Sequence, residues 1–115
     1  MKNRIQNWRF TPFSKSGRAS VPKSSGVYAI LRINRVMGLP MALVPIYVGQ
    51  SHNLRLRMAG HLDPAKAHNE NVGFLPDRAS LEFWWAAVPS ELLAAAEKTL
   101  IQSVKPKANK IRYRI

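Results

Sequence analysis

The chain predicts a small α+β domain, a three-stranded antiparallel sheet flanked by helices in the order β-β-α-β-α. Three observations carry this expectation. Val27, Ala29, Leu31 and Ile33 alternate with Tyr28, Ile30 and Arg32, the two-residue period of a strand. Leu54, Met58 and Leu62 recur at i, i+4 and i+8, the spacing of a buried helical stripe. Strand-forming runs at 43–48 and 80–88 lie on either side of that helix, and the second leads into an alanine-rich segment.

Each element has its own signals. Residues 11–25 are rich in Ser, Pro and Gly and read as an extended lead-in, with Trp8, Phe10 and Phe13 pinning that arm onto the domain. The first strand covers 26–33. Asn34, Gly38 and Pro40 mark 34–41 as a loop, and 43–48 is a second strand antiparallel to the first, ended by Gly49. Ser51 or Asn53 can cap the helix that follows, because each offers a side-chain oxygen to the free amides of a first turn. That helix runs to about Leu62, where Asp63-Pro64 stops it. Residues 63–79, punctuated by Pro64, Gly73 and Pro76, read as a loop. Ser80 to Val88 is the third strand, on which Trp84 and Trp85 point to opposite faces, so one belongs to the core and the other stacks on a base or covers a helix. A second helix starts at Pro89-Ser90 and ends before Pro106.

Composition bounds the function. The 115 residues are one domain's worth of chain, and 46% hydrophobic content with three tryptophans favours a folded globule. With no cysteine, neither a disulfide framework nor a thiolate metal site can form. The N-terminus has no apolar signal region, and the longest apolar stretch, Met37 to Val48, is cut by Gly38, Pro40 and Pro45, too broken to span a bilayer. The expected compartment is cytoplasmic or nucleoid-associated. Eighteen Lys and Arg against six Asp and Glu give a net charge of +12, which attracts polyanions. Charge alone leaves a nucleic acid, a structural RNA or a membrane surface as partner, with nucleic acid favoured. Residues 1–23 hold Lys2, Arg4, Arg9, Lys15, Arg18 and Lys23, and residues 105–115 hold Lys105, Lys107, Lys110, Arg112 and Arg114; neither stretch contains an acid. Both ends read either as phosphate-backbone arms or as solvated, frayed termini.

Polar residues in apolar patterns name the candidate site. Arg57 and His61 are an i, i+4 pair bordering the leucine stripe. They are either a surface pair or a cleft pair that meets a phosphate, with Arg forking onto its oxygens and His exchanging a proton near neutral pH. Arg55, about 200° around the helix from Arg57, is the ordinary solvated arginine. On the second helix Glu97 interrupts the stripe of Leu93, Leu100, Ile101 and Val104. A carboxylate there requires either an ion pair, to Arg57 or a lysine, or a hard cation such as Mg²⁺. Tyr28 and Tyr47, taken alone, are ordinary strand packing residues.

Together these residues resemble the GIY-YIG nuclease family. Gly26-Val27-Tyr28 is similar to its first signature and Tyr47-Val48-Gly49 to its second, each with Val in place of Ile. Gln50-Ser51-His52-Asn53-Leu54 resembles the polar turn and helix start that follow. Arg57 falls at the family's arginine position, His61 one turn later, and Glu97 with Lys105-Pro106 and Asn109 resembles the metal-binding glutamate and closing segment. The resemblance covers about residues 24–110, leaving 1–23 as a basic arm and 111–115 as a basic tail. Tyr47 lies 19 residues after Tyr28, a longer interval than in many members, so the hairpin is expected to carry an enlarged loop over 34–44.

The resemblance implies metal-dependent hydrolysis of phosphodiester bonds in DNA, whether single-stranded, duplex or branched. Tyr28 would be the general base or orient the attacking water, His61 would accept its proton, and Tyr47 would bind the scissile phosphate. Arg57 would stabilise the charge developing on the phosphoryl oxygens, and Glu97 would hold one Mg²⁺ or Mn²⁺. Gly26 and Gly49 would permit close backbone approach, and Asn109 would tie down the C-terminal segment. Lys15, Arg18, Lys23, Arg55, Lys105, Lys107 and Lys110 would contact nucleic acid. A protein partner or a dimer would serve targeting or a duplex break. The competing readings are a weak or inactive nucleic-acid-binding module of the same fold and a basic RNA-associated structural protein, which explains the charge but not Glu97.

Overall fold

The computed structural model describes residues 7–62 and 80–104. In chain order the elements are β1 (Arg9–Pro12), β2 (Gly26–Val36), β3 (Leu39–Ser51), α1 (Leu54–Leu62), β4 (Leu81–Ala87) and α2 (Leu93–Val104), with single 3₁₀ turns at Gly17–Ser20 and Ser90–Leu92. The strands form one four-stranded sheet in the order β1-β4-β2-β3, and every neighbouring pair is antiparallel. The sequence predicts three strands, and the structure adds a fourth.

The addition lies in the lead-in. Residues 9–12 pair with β4, Arg9 opposite Trp85 through Pro12 opposite Glu82. Phe13 then enters the core, and its amide donates to the Leu81 carbonyl at 3.0 Å. Phe10 stays half outside the sheet and stacks on Trp84, ring centroids 4.4 Å apart. The rest of the lead-in is folded onto the domain as well. Val21 is fully buried, and the first amides of α1, on Leu54 and Arg55, donate to the carbonyls of Ser24 and Pro22.

The second difference is the hairpin. The stretch 34–44 is not a loop: β2 continues to Val36, β3 begins at Leu39, and Met37 and Gly38 alone make the turn. Their φ values of 54° and 86° are both positive, the requirement of a two-residue turn that matches strand twist. Two bulges on β3 leave Ile46 and Met41 without a direct partner on β2. Pro40 and Pro45 are tolerated because β3 is the edge of the sheet, where a missing donor leaves no central ladder broken.

Alternation along the strands sorts the core into two layers. On one face Tyr28, Ile30, Tyr47, Phe83 and Trp85 pack with Leu54 and Met58 of α1 and with Phe13 and Val21. On the other face Val27, Ala86 and Val88 pack with Leu93 of α2, and Ala96, Leu100 and Trp8 lean against them. Burying a side chain such as Leu54 or Met58 contributes about 1.5–3 kcal/mol, so the amphipathic stripes hold both helices in place. The tryptophan pair divides as the strand period requires: Trp85 is in the core, and Trp84 lies on the opposite face against Phe10. Near that pair Glu82 receives a forked contact from Arg35, Nε to Oε2 at 2.7 Å and Nη2 to Oε1 at 3.0 Å, and accepts the Trp84 indole N–H at 3.1 Å.

Asn53 is the N-cap of α1: its Oδ1 accepts the Leu56 amide at 3.1 Å. Ser51 acts one step earlier, accepting the Asn53 amide at 3.0 Å. Asn53→Ala is expected to lower stability by about 1 kcal/mol. The urea midpoint should fall while the slope of the transition stays unchanged.

Candidate active site

Tyr28 and Tyr47 lie on the α1 face of adjacent strands, because Tyr47 pairs with Ile30, two residues beyond Tyr28. Their rings are 6.1 Å apart and inclined by 26°. His61, in the last turn of α1, closes the group from above. Its Nε2 lies 2.7 Å from the Tyr28 hydroxyl, and its ring meets Tyr47 edge-on at 5.0 Å. Phe83 stacks on the far side of Tyr28 at 5.1 Å. Tyr28 is 1% exposed and His61 0%, so the phenol–imidazole hydrogen bond is shielded from bulk water and strengthened accordingly. Either the phenol donates to a neutral Nε2, or Nε2–H donates to the phenol oxygen.

Gly49 makes room for this pair. It sits directly opposite Tyr28, and a Cβ built there would lie 2.5 Å from the Tyr28 hydroxyl oxygen and 2.6 Å from Cζ. The phenol therefore reaches across bare backbone toward the open edge of the sheet. Gly49→Ala is expected to cost about 1–3 kcal/mol by overpacking. Thermal melting should show the loss, and the near-ultraviolet tyrosine signal should change as the ring is displaced. Gly26 is packed against the Ala86 backbone and Leu54.

Glu97 approaches from the other layer. It is half-buried on α2, and its Oε1 accepts the Gln50 Nε2–H at 2.9 Å. Of the two alternatives for Glu97, an ion pair to Arg57 or a lysine or a hard cation, the ion pair does not occur among the described residues, where its partner is a neutral amide. Gln50 immediately follows Gly49, so the residue under the Tyr28 phenol and the residue holding the Glu97 carboxylate are adjacent, about 3.8 Å apart at their Cα atoms. They lie at the end of the edge strand, and no further strand of the sheet separates the two layers there.

The other candidates are placed as follows. Arg57 and His61 do not share one environment: His61 is buried, whereas Arg57 is exposed and its guanidinium has no hydrogen-bond or ion-pair partner among the described residues. Direct contacts thus join Tyr28, Tyr47 and His61. No such contact among the described residues links Arg57 or Glu97 to that trio. Arg55 is not an ordinary solvated arginine. Its Nε donates to the Val21 carbonyl at 2.7 Å and its Nη2 to that of Ala19 at 3.3 Å, which ties the lead-in to α1. Lys15, Arg18 and Lys23 are exposed. Lys105, Lys107, Asn109 and Lys110 lie outside the described residues. No group of three His, Cys, Asp or Glu side chains that could hold a metal ion occurs among the described residues, so Glu97 would offer a single carboxylate.

Solved structures with a similar fold exist. The N-terminal endonuclease domain of UvrC from Thermotoga maritima, bound to its catalytic divalent cation magnesium, matches with a TM-score of 0.56 and 23% identity, over 82% of this chain and 92% of that one. Two point mutants of the same domain, each bound to its divalent cation, match with the same TM-score at 22% and 23% identity, over 82% of this chain and 91% of theirs. All three are described as GIY-YIG domains. This chain has the GIY-YIG fold. No family model matches the sequence, and no curated protein does either.

Within the GIY-YIG fold of this chain, two polar features went unread in the sequence. Gln50 holds Glu97, a pairing signalled only by strand alternation, which puts Gln50 on the α2 face with Val48. The second is Arg32, on the Tyr28 face of β2, whose Nε is buried without a hydrogen-bond partner among the described residues. No spacing rule marks it, because it occupies an ordinary strand position.

Proposed function

We propose that this GIY-YIG domain is an endonuclease that hydrolyses phosphodiester bonds in DNA with the help of one divalent cation. The observation that carries the proposal is the buried 2.7 Å hydrogen bond between Tyr28 and His61, set beside Tyr47 in this fold. The domain of UvrC that shares the fold is an endonuclease domain with a bound catalytic cation. The +12 charge and the exposed Lys15, Arg18 and Lys23 favour a polyanionic substrate.

Glu97 fits a cation of the magnesium type. Among the described residues its carboxylate faces a neutral amide rather than a positive side chain, so none of them cancels its charge, and one carboxylate with waters and phosphate oxygens suits Mg²⁺ or Mn²⁺. Such a cation would supply charge neutralisation at the phosphate. Gln50 fixes the carboxylate orientation. His61, with its proton on Nδ1, accepts the Tyr28 hydroxyl proton at Nε2, and the phenolate takes a proton from the attacking water. A free phenol titrates near 10, so it acts at neutral pH only with this acceptor beside it. Tyr47 orients the phosphate, and the exposed Arg57 guanidinium forks onto its oxygens.

A second reading is a nucleic-acid-binding module of weak or absent activity. It is favoured by the near-complete burial of Tyr28 and by the lack of contact from Arg57 and Glu97 to the aromatic trio. Plasmid nicking with Mg²⁺, against an EDTA control, separates the two. Nicking that EDTA abolishes supports the enzyme; binding without nicking supports the module. Digestion of single-stranded, duplex, flapped and branched DNA, and of RNA, identifies the substrate.

A further inference from the structure

Exposed apolar surface is concentrated in one part of the described residues. β4 accompanies β2 only as far as Arg32, so 33–36 and 39–44 stand out from the sheet as a two-stranded ribbon closed by Met37 and Gly38. Val36, Met37, Leu39, Met41 and Leu43 on this ribbon are between 54% and 101% exposed. The other exposed large apolar side chains among the described residues are Leu56, Leu92 and Phe10, the last stacked on Trp84 with the Arg35 guanidinium 5.0 Å from its ring centroid. By strand register Val36 and Leu39 lie on the Tyr28 face and Leu43 on the opposite one, with Met37 in the turn, so the ribbon is apolar on both faces, and exposed apolar surface gathered in one place often marks an interaction site.

We propose that the ribbon is a self-association surface and that its occupant is a second copy of this chain. Charge is the first argument. From Val36 to Ser51 there is no charged residue, in a chain of net charge +12. Two such chains repel each other, and the ribbon, whose one charged residue, Arg35, is ion-paired with Glu82, is where they can touch at least cost. A phosphate backbone would instead seek the cationic surfaces. A bilayer-inserting hairpin would be anchored by interfacial Trp or Tyr, and 33–45 contains no aromatic residue.

Area is the second argument. Fully burying a side chain of this size removes roughly 60–120 Å² of apolar surface, so the five, divided between the two faces of the ribbon, supply on the order of 400 Å² per copy when both faces are covered. That is about half of the ~800 Å² per partner in a standard interface. The dimer is accordingly reversible and weak. Pro40 and Pro45 remove two N–H donors from the edge strand, which disfavours extension of the sheet from copy to copy. The copies pack side chain against side chain about a two-fold axis, like residues meeting like.

The test is sedimentation equilibrium of the full chain over a concentration series at low and high salt. The average mass should rise from the 13.0 kDa of the monomer toward twice that value. Association should strengthen with salt, because screening weakens the repulsion between copies. Leu39→Ser/Met41→Ser and Leu39→Lys/Met41→Lys should both stay monomeric with an unchanged circular-dichroism spectrum, and the serine pair excludes added charge as the cause. A wild type of monomer mass at every concentration overturns the proposal, as do variants that associate like the wild type. If the wild type is monomeric and the serine variant instead loses affinity for duplex DNA or for phosphatidylserine vesicles, the occupant is nucleic acid or membrane and the proposal fails. The readout is mass, so its outcome does not depend on whether the chain cleaves DNA.

Discussion

Glu97→Ala is expected to abolish Mg²⁺-dependent nicking while leaving the fold and DNA binding in place. A cation at a reacting phosphate supplies several kcal/mol of transition-state stabilisation, so the rate should fall by about a thousandfold or more. The fold should survive for local reasons. Glu97 is only half-buried, alanine is the best helix former, and the described hydrogen bond that is lost is the one to Gln50, a net loss of about 1 kcal/mol. DNA affinity should hold or rise slightly, since removal of a carboxylate makes the surface more positive. The check is a nicking assay beside a fluorescence-anisotropy binding curve. Cleavage at the wild-type rate would remove Glu97 from the cation role and leave it as the partner of Gln50.

Arg57→Ala is expected to reduce turnover by about a hundredfold to a thousandfold, the range seen when one donor to a transition-state charge is removed. Arg57 is exposed and its guanidinium has no partner among the described residues, so the substitution should change stability by no more than about 0.5 kcal/mol. Arg57→Lys should recover only part of the rate, because an ammonium keeps the charge but cannot fork onto two phosphate oxygens. Cleavage rates read against circular dichroism decide the matter. A loss of folded signal would make Arg57 structural, and an unchanged rate would make it a solvated surface arginine. The contrast with His61 sharpens the test. Four residues on a helix are about 400° apart, which leaves a 40° offset. Here that offset separates a residue closed in by two tyrosine rings from one facing water.

Local patterns made most of the scaffold legible. The Leu54–Met58–Leu62 stripe marks α1, and Asn53 caps it as its side-chain chemistry suggests. The alternation through Tyr28 and the run through Trp85 locate two of the strands. Where local signals pointed the wrong way, the missing information was non-local. Pro40 and Gly38 are turn formers, yet 34–44 is mostly strand, because β3 lies at the edge of the sheet and the turn needs only two residues. β1 carries little strand signal of its own and exists by pairing with β4. Arg55 points away from the core stripe of α1, but the lead-in folds up on that side and offers it two carbonyls.

The sequence by itself therefore determined both helices, three of the four strands, the order of these elements and the chemical groups available: two phenols, an imidazole, a guanidinium and a carboxylate on a strongly basic chain. Periodicity and capping act over a few residues, so they can be read along the chain. The tertiary structure decided which groups meet. Tyr28 with His61, Arg35 with Glu82, and Gln50 with Glu97 are paired across 33, 47 and 47 residues. Such pairs are set by strand register and by which helix covers which face of the sheet, and those follow from how the whole core packs.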